Sequence, residues 1–227
     1  MKKYPLVLLS LSLLLSEIIL KINSTAGFVF YCALITGCVI ALSKAESLDN
    51  QGKLMIVFMI LPTIRIADLV IGFDFLLRSF IVYNILLFLV IFYCVKLEIN
   101  PGYTKKKIAL LPIMILIGIV FGLFWNNFFF TEKWIGYLFM LPVIVYAEEV
   151  LFRGMIQNLI GREYNGVSAV FFTSLLYWIF SLSYGLAISL FFFAVSLVLC
   201  LIYQRTKNIY LTMALSFVVQ LFVLVLA

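Results

Sequence analysis

Histidine is absent from all 227 residues. It is the usual general base near neutral pH and the commonest metal ligand. Any chemistry in this chain must therefore run on carboxylates, hydroxyls or thiols. A zinc centre would then need clustered cysteines. The four cysteines, Cys32, Cys38, Cys94 and Cys200, stand apart inside apolar runs and form no CxxC pair. They read as inert, buried thiols, so neither a metal nor another cofactor is expected. Charge is scarce too. Only 11% of residues are charged, against about 25% in an ordinary soluble domain. With 66% of residues hydrophobic, the chain cannot cover its surface with polar groups, and lipid must be its solvent. That excludes a soluble enzyme, a disordered chain and a secreted disulfide scaffold.

What remains is a series of long apolar segments. They fall near Pro5–Leu20, Ala26–Ser43, Leu54–Gly72, Phe80–Val95, Ile108–Trp125, Ile135–Leu159, Val167–Tyr184, Ala187–Tyr203 and Ile209–Ala227. Lipid offers no partner for a free backbone N–H or C=O, so continuous apolar runs must be helices. The expected fold is all-α: a polytopic transmembrane helical bundle of about eight to nine spans. The first segment follows Lys2 and Lys3 like a signal peptide. No A-x-A site follows it, and it reads as an uncleaved span. No linker, repeat or low-complexity tract divides the chain, which reads as a single membrane domain over 1–227.

The basic residues orient this bundle. With nine spans and the N-terminus inside, the inner loops and helix ends hold Lys2, Lys3, Lys44, Lys53, Lys96, Lys105, Lys106, Lys107, Arg162, Arg205 and Lys207. The outer ones hold Lys21, Arg78 and Lys133. The positive-inside rule then predicts a cytoplasmic N-terminus and an external C-terminus in the inner (plasma) membrane. It also accounts for the net charge of +6. The Lys105–Lys107 run faces anionic lipid rather than nucleic acid. Trp125 and Trp134 flank an outer turn, where indoles anchor at the interface.

Ionisable groups inside spans are costly, so their positions carry information. The sharpest cluster is Glu148-Glu149-Val150-Leu151-Phe152-Arg153-Gly154. Glu149 and Arg153, spaced i, i+4, share a helix face and can pair, with Gln157 one turn on. Glu148 is turned about 100° away. Arg153 would hold Glu149, leaving Glu148 to face a cavity, where a carboxylate among apolar groups can act as a base on water. Pro142, six residues earlier, predicts a kink just before the cluster. The plainer reading is an internal salt bridge that locks helices together. A second polar pair, Arg65 and Asp68 at i, i+3, reads as structural pairing. Its functional alternative is that Arg65 reaches the Glu148 pocket. Glu17 and Asn84 are single polar residues without an assigned role.

The Glu148–Gly154 run resembles the EExxxR-G signature of the CPBP family: CAAX prenyl endopeptidases and bacteriocin-processing or immunity (Abi) proteins. The similarity extends over about 141–221. Tyr177-Trp178-Ile179-Phe180-Ser181 lies where the family has FxxxH, and Arg205-Thr206-Lys207-Asn208-Ile209-Tyr210 resembles its R-T-G-S/N-L/I-W run. The resemblance implies an all-helical intramembrane endopeptidase. In it the first glutamate and the FxxxH histidine activate water, and a later histidine and an asparagine stabilise the oxyanion. It assigns catalytic positions to Glu148, Glu149 and Arg153. It leaves Tyr177 and Ser181, Ser216 and Gln220 in the cleft where the family's other side chains would stand.

Helix arithmetic sets Glu148 and Ser181 level with each other. Each lies 14 residues from the turn between them, about 20 Å from the cytoplasmic end. Ser216 and Gln220 climb the last helix to roughly 10–20 Å. Both family histidines are replaced, and serine cannot hold a proton at neutral pH. Three functions follow. One is a degenerate member that keeps the glutamates and arginine and acts as a membrane scaffold, immunity or regulatory protein. A second is an active peptidase in which Glu148, with Glu149, activates water. The third is a small-solute transporter, which the absence of an inverted repeat disfavours. The expected partners are membrane lipid and a prenylated or transmembrane peptide or protein.

Overall fold

The computed structural model describes residues 4–43, 50–72, 75–101 and 133–226. Among these there is no strand. The helices are α1 (Tyr4–Ile22), α2 (Ser24–Ser43), α3 (Asn50–Val70), α4 (Phe75–Lys96), α5 (Lys133–Glu149), α6 (Asn158–Glu163), α7 (Gly166–Ser181), α8 (Leu186–Thr206) and α9 (Ile209–Leu226). Four helical stretches are long and apolar enough to cross a membrane: Ser24–Ser43, Leu77–Lys96, Gly166–Tyr184 and Leu186–Thr206. The eight to nine spans expected from the sequence go beyond these four. The apolar segment at 108–125, the 105–107 lysines and Trp125 lie outside the described residues.

Short turns join α1 to α2, α6 to α7, α7 to α8 and α8 to α9, and each of these pairs packs together. Asn165 caps α7, its Oδ1 accepting the Ser168 N–H at 2.7 Å, which satisfies one of the orphan donors at a helix start. Gly185 closes the turn from α7 to α8 at φ 100°, a conformation that a Cβ disfavours. Lys207 ends α8 in the left-handed region at φ 51°. It stands where the resemblance has glycine. Burial and the nearby Arg162 hold Lys207 below the ordinary lysine range. With Lys53, Lys96, Arg162 and Arg205 it marks one end of the bundle as basic.

Between α5 and α6 the chain departs from α-helical geometry. Val150–Gln157 forms a π-helical stretch, and all eight of its residues are buried. The α-helix runs through Pro142 to Glu149, so the change of geometry comes after the glutamates rather than before them. Short π segments are rare and frequent at functional sites. Here the stretch touches α3, α4, α7, α8 and α9, making it the centre of the core. Packing around it is close. A Cβ on Gly154 would lie 2.5 Å from Pro101 Cβ and 3.1 Å from Ile209 Cδ1, so only glycine fits. Around this centre α5 packs on α4 and α9, α7 on α8, and α1–α3 on one another.

Candidate functional site

Glu148 and Glu149 are the last two residues of α5. Their positions differ by one helical step, and that step sends them to different environments. Glu149 points to Arg153, with Oε1 3.1 Å from Nη1 and both side chains fully buried. The Arg153 Nη2 also donates to Ser196 Oγ at 3.0 Å, and the guanidinium lies 4.8 Å above the Tyr177 ring. Gln157, one turn further, donates to the Cys200 carbonyl at 2.8 Å. This arrangement ties the π stretch to α7 and α8.

Glu148 is only 3% exposed and meets no cation within ion-pair distance among the described residues. Its carboxylate accepts from three neutral donors on three other helices. Tyr83 of α4 donates to Oε1 at 3.0 Å. Tyr177 of α7 donates to Oε2 at 2.9 Å. Gln220 of α9 donates through Nε2 to the same oxygen at 2.9 Å. A carboxylate offers about four lone-pair sites, so three donors occupy most of its capacity. The Tyr177 ring is held edge-on by Phe152 at 4.9 Å, which orients its hydroxyl toward Glu148.

The positions singled out in the sequence are thus only partly assembled. Glu148, Tyr177 and Gln220 meet. Ser181 does not join them: its Oγ donates back to the Trp178 carbonyl at 2.9 Å. Ser181 is the last residue of α7 and sits a turn beyond Tyr177, so the site lies nearer the Leu182–Tyr184 end of the bundle than mid-height. Ser216 is buried on α9, one turn before Gln220. Glu148 also does not stand free over an open cleft, as its freedom from Arg153 suggested. Tyr83 is the candidate-site neighbour that sequence reasoning missed. Nothing distinguishes it from other tyrosines in an apolar segment until α4 packs on α5.

Arg65 and Asp68 do pair, at the long end of ion-pair distance, but Arg65 also has a partner that the sequence did not suggest. Its strong partner is Glu17, with Nε to Oε1 at 2.6 Å, while Asp68 lies 4.0 Å away and 3.3 Å from Arg78. Tyr31 adds a hydrogen bond to the same Glu17 oxygen at 2.7 Å. Arg65 also donates to the Phe180 carbonyl and covers the Phe180 ring at 4.9 Å. It therefore joins α1 and α3 to α7 and is not bonded to Glu148. Asn84 donates through Nδ2 to the Phe80 carbonyl of its own helix at 2.8 Å. No group of three His, Cys, Asp or Glu among the described residues is placed to hold a metal ion.

A comparison with known families bears on this site. Residues 129–222 match the family model of type II CAAX prenyl endopeptidase Rce1-like proteins. This segment is similar to that family. It contains the Glu148–Glu149 pair, Arg153, Tyr177, Ser181, Ser216 and Gln220. Glu17, Arg65 and Tyr83 lie before it, so part of what surrounds the Rce1-like glutamate comes from the N-terminal helices. No curated protein and no solved structure matches the chain.

Proposed function

We propose that this Rce1-like membrane protein uses the endopeptidase scaffold without turnover, as a scaffold, immunity or regulatory protein that engages a transmembrane or prenylated peptide. The observation that carries this reading is the occupation of Glu148 by Tyr83, Tyr177 and Gln220. Peptide hydrolysis needs a base with a free lone pair, a group that returns the proton to the leaving amine, and donors for the oxyanion. The base is engaged by three donors. A phenol with an ordinary pKa near 10 cannot shuttle protons at neutral pH as imidazole does. Loss of one oxyanion donor alone costs about 10²–10³-fold in rate.

The test is direct. The purified protein is offered prenylated and transmembrane peptides, and fragments are read by mass spectrometry. No cleavage is expected, and Glu148→Gln should leave the biological effect largely intact. Introducing Ser181→His and Ser216→His together with Tyr83→Phe should release Oε1 of Glu148 and restore proton carriers. Cleavage by the wild-type chain, abolished by Glu148→Gln, would replace this reading with a glutamate-dependent peptidase.

A further inference from the structure

A cavity of about 170 Å³ lies beside Glu148 without reaching it. Its walls include Arg65 and Asp68 of α3, Ser79 and Tyr83 of α4, and Ser183 and Tyr184 of the turn before α8. The connection to the buried carboxylate is a chain of two hydroxyls. Tyr184, 40% exposed, lies with its hydroxyl 3.2 Å from that of Tyr83. Tyr83 in turn donates to Glu148 at 3.0 Å. Among the described residues, this tyrosine pair links the cavity to the glutamate.

The cavity's chemistry and its location are both informative. Among the described residues that line it, two guanidiniums and four hydroxyls face one carboxylate, Asp68, so these walls are rich in donors. Cavities of roughly 150 Å³ take a molecule the size of benzene, too little for a folded partner and enough for water or one small polar group. The cavity sits where α3 ends, α4 begins and α7 turns into α8. Lys53, Lys96, Arg162, Arg205 and Lys207 all lie at the opposite end of these helices. By the positive-inside rule the basic end is cytoplasmic.

We propose that this cavity is the entrance to Glu148: an extracytoplasmic vestibule for water and small oxygen-rich, acceptor-bearing groups, closed by the Tyr83–Tyr184 hydroxyl pair. An acceptor arriving in the vestibule competes for the Tyr184 and Tyr83 hydroxyls and frees Oε1 of Glu148. The inference rests on the membrane reading of the chain and is independent of whether the site hydrolyses peptide.

The experiment uses cells expressing the full chain and the membrane-impermeant anion 2-sulfonatoethyl methanethiosulfonate. The wild type, with its four native cysteines, gives the background. Glu148→Cys should be modified from outside intact cells. Adding Tyr184→Ala should speed that modification at least fivefold, and adding Ser183→Trp should slow it at least fivefold. Should Glu148→Cys fail to accumulate, Ser183→Cys reads the vestibule itself and should be modified from outside. Modification only after permeabilisation would overturn the proposal. So would rates at Glu148→Cys that neither Tyr184→Ala nor Ser183→Trp changes. Peptide cleavage by the wild type would overturn the non-hydrolytic reading and leave these labelling results standing.

Discussion

Glu17 and Glu148 are both buried carboxylates, yet their surroundings differ in kind. Glu17 meets a guanidinium and a phenol, Arg65 and Tyr31, so its charge is balanced within one hydrogen-bonded group. Glu148 meets two phenols and an amide, all neutral. The cation nearest in sequence, Arg153, is taken by Glu149. A buried charge without a partner is unfavourable, and stability alone would favour replacing it with an apolar residue. The Glu17 network joins helices and can be explained by that alone. Glu148 has no such cation beside it among the described residues, and that sets the two carboxylates apart.

Breaking each network in turn sharpens this contrast. The largest effect is expected from Arg153→Ala. It strands Glu149 in a fully buried position and should cost about 3–5 kcal/mol, read as loss of thermal stability in detergent. Pairing Arg153→Met with Glu149→Gln should recover much of that loss, because no charge is left alone.

Arg65→Ala comes next. It leaves Glu17 with Tyr31 only and detaches α1 and α3 from Phe180, so about 3 kcal/mol is expected, the lower end for a broken buried pair. Glu17→Gln should cost less than Arg65→Ala, since the amide oxygen still accepts from both partners. If the order of the two arginine variants were reversed, the Glu17 network rather than the π stretch would be the bundle's main electrostatic tie.

Changes at Glu148 should be milder. Tyr83→Phe removes one hydrogen bond to a carboxylate, worth about 1.5 kcal/mol, and Glu148→Gln about 1 kcal/mol. Unfolding in denaturant with both variants side by side checks this. A Glu148→Gln cost equal to that of Arg153→Ala would make Glu148 a structural residue and remove the contrast with Glu17. An effect as small as that of Glu148→Gln, but of opposite sign, is expected far from both networks. Lys207→Gly relieves a left-handed backbone and should stabilise the protein by about 1 kcal/mol, leaving both networks unchanged in double-mutant comparisons.

Much of the site was legible in the residues themselves, in a particular way. The Glu149–Arg153 pair could be read because its members are four apart on one helical run. Glu148's separation from that pair could be read for the same reason. The π geometry that houses Arg153 could not, because the sequence signals a break at Pro142 and nothing signals one at Val150. Arg65 and Asp68 were legible as neighbours in sequence, but Glu17 is the better partner because α1 delivers it with less exposure to solvent. Tyr177 rather than Ser181 reaches Glu148 because one turn of α7 separates them and the serine satisfies itself on its own backbone.

The sequence by itself determined that the chain is helical and suited to lipid, where its charges stand, and which glutamates and arginine form a local cluster. These depend on composition and on spacings within one turn of one helix, where covalent geometry sets the distances. Only the tertiary structure decided that Tyr83, 65 residues from Glu148, donates to it, that Arg65 belongs to Glu17, 48 residues away, and that a cavity ends one tyrosine pair short of the glutamate. Apolar helices offer lipid and neighbour nearly the same surface, so their rotation about the axis is set by how they pack against one another. That rotation decides which single polar side chains meet.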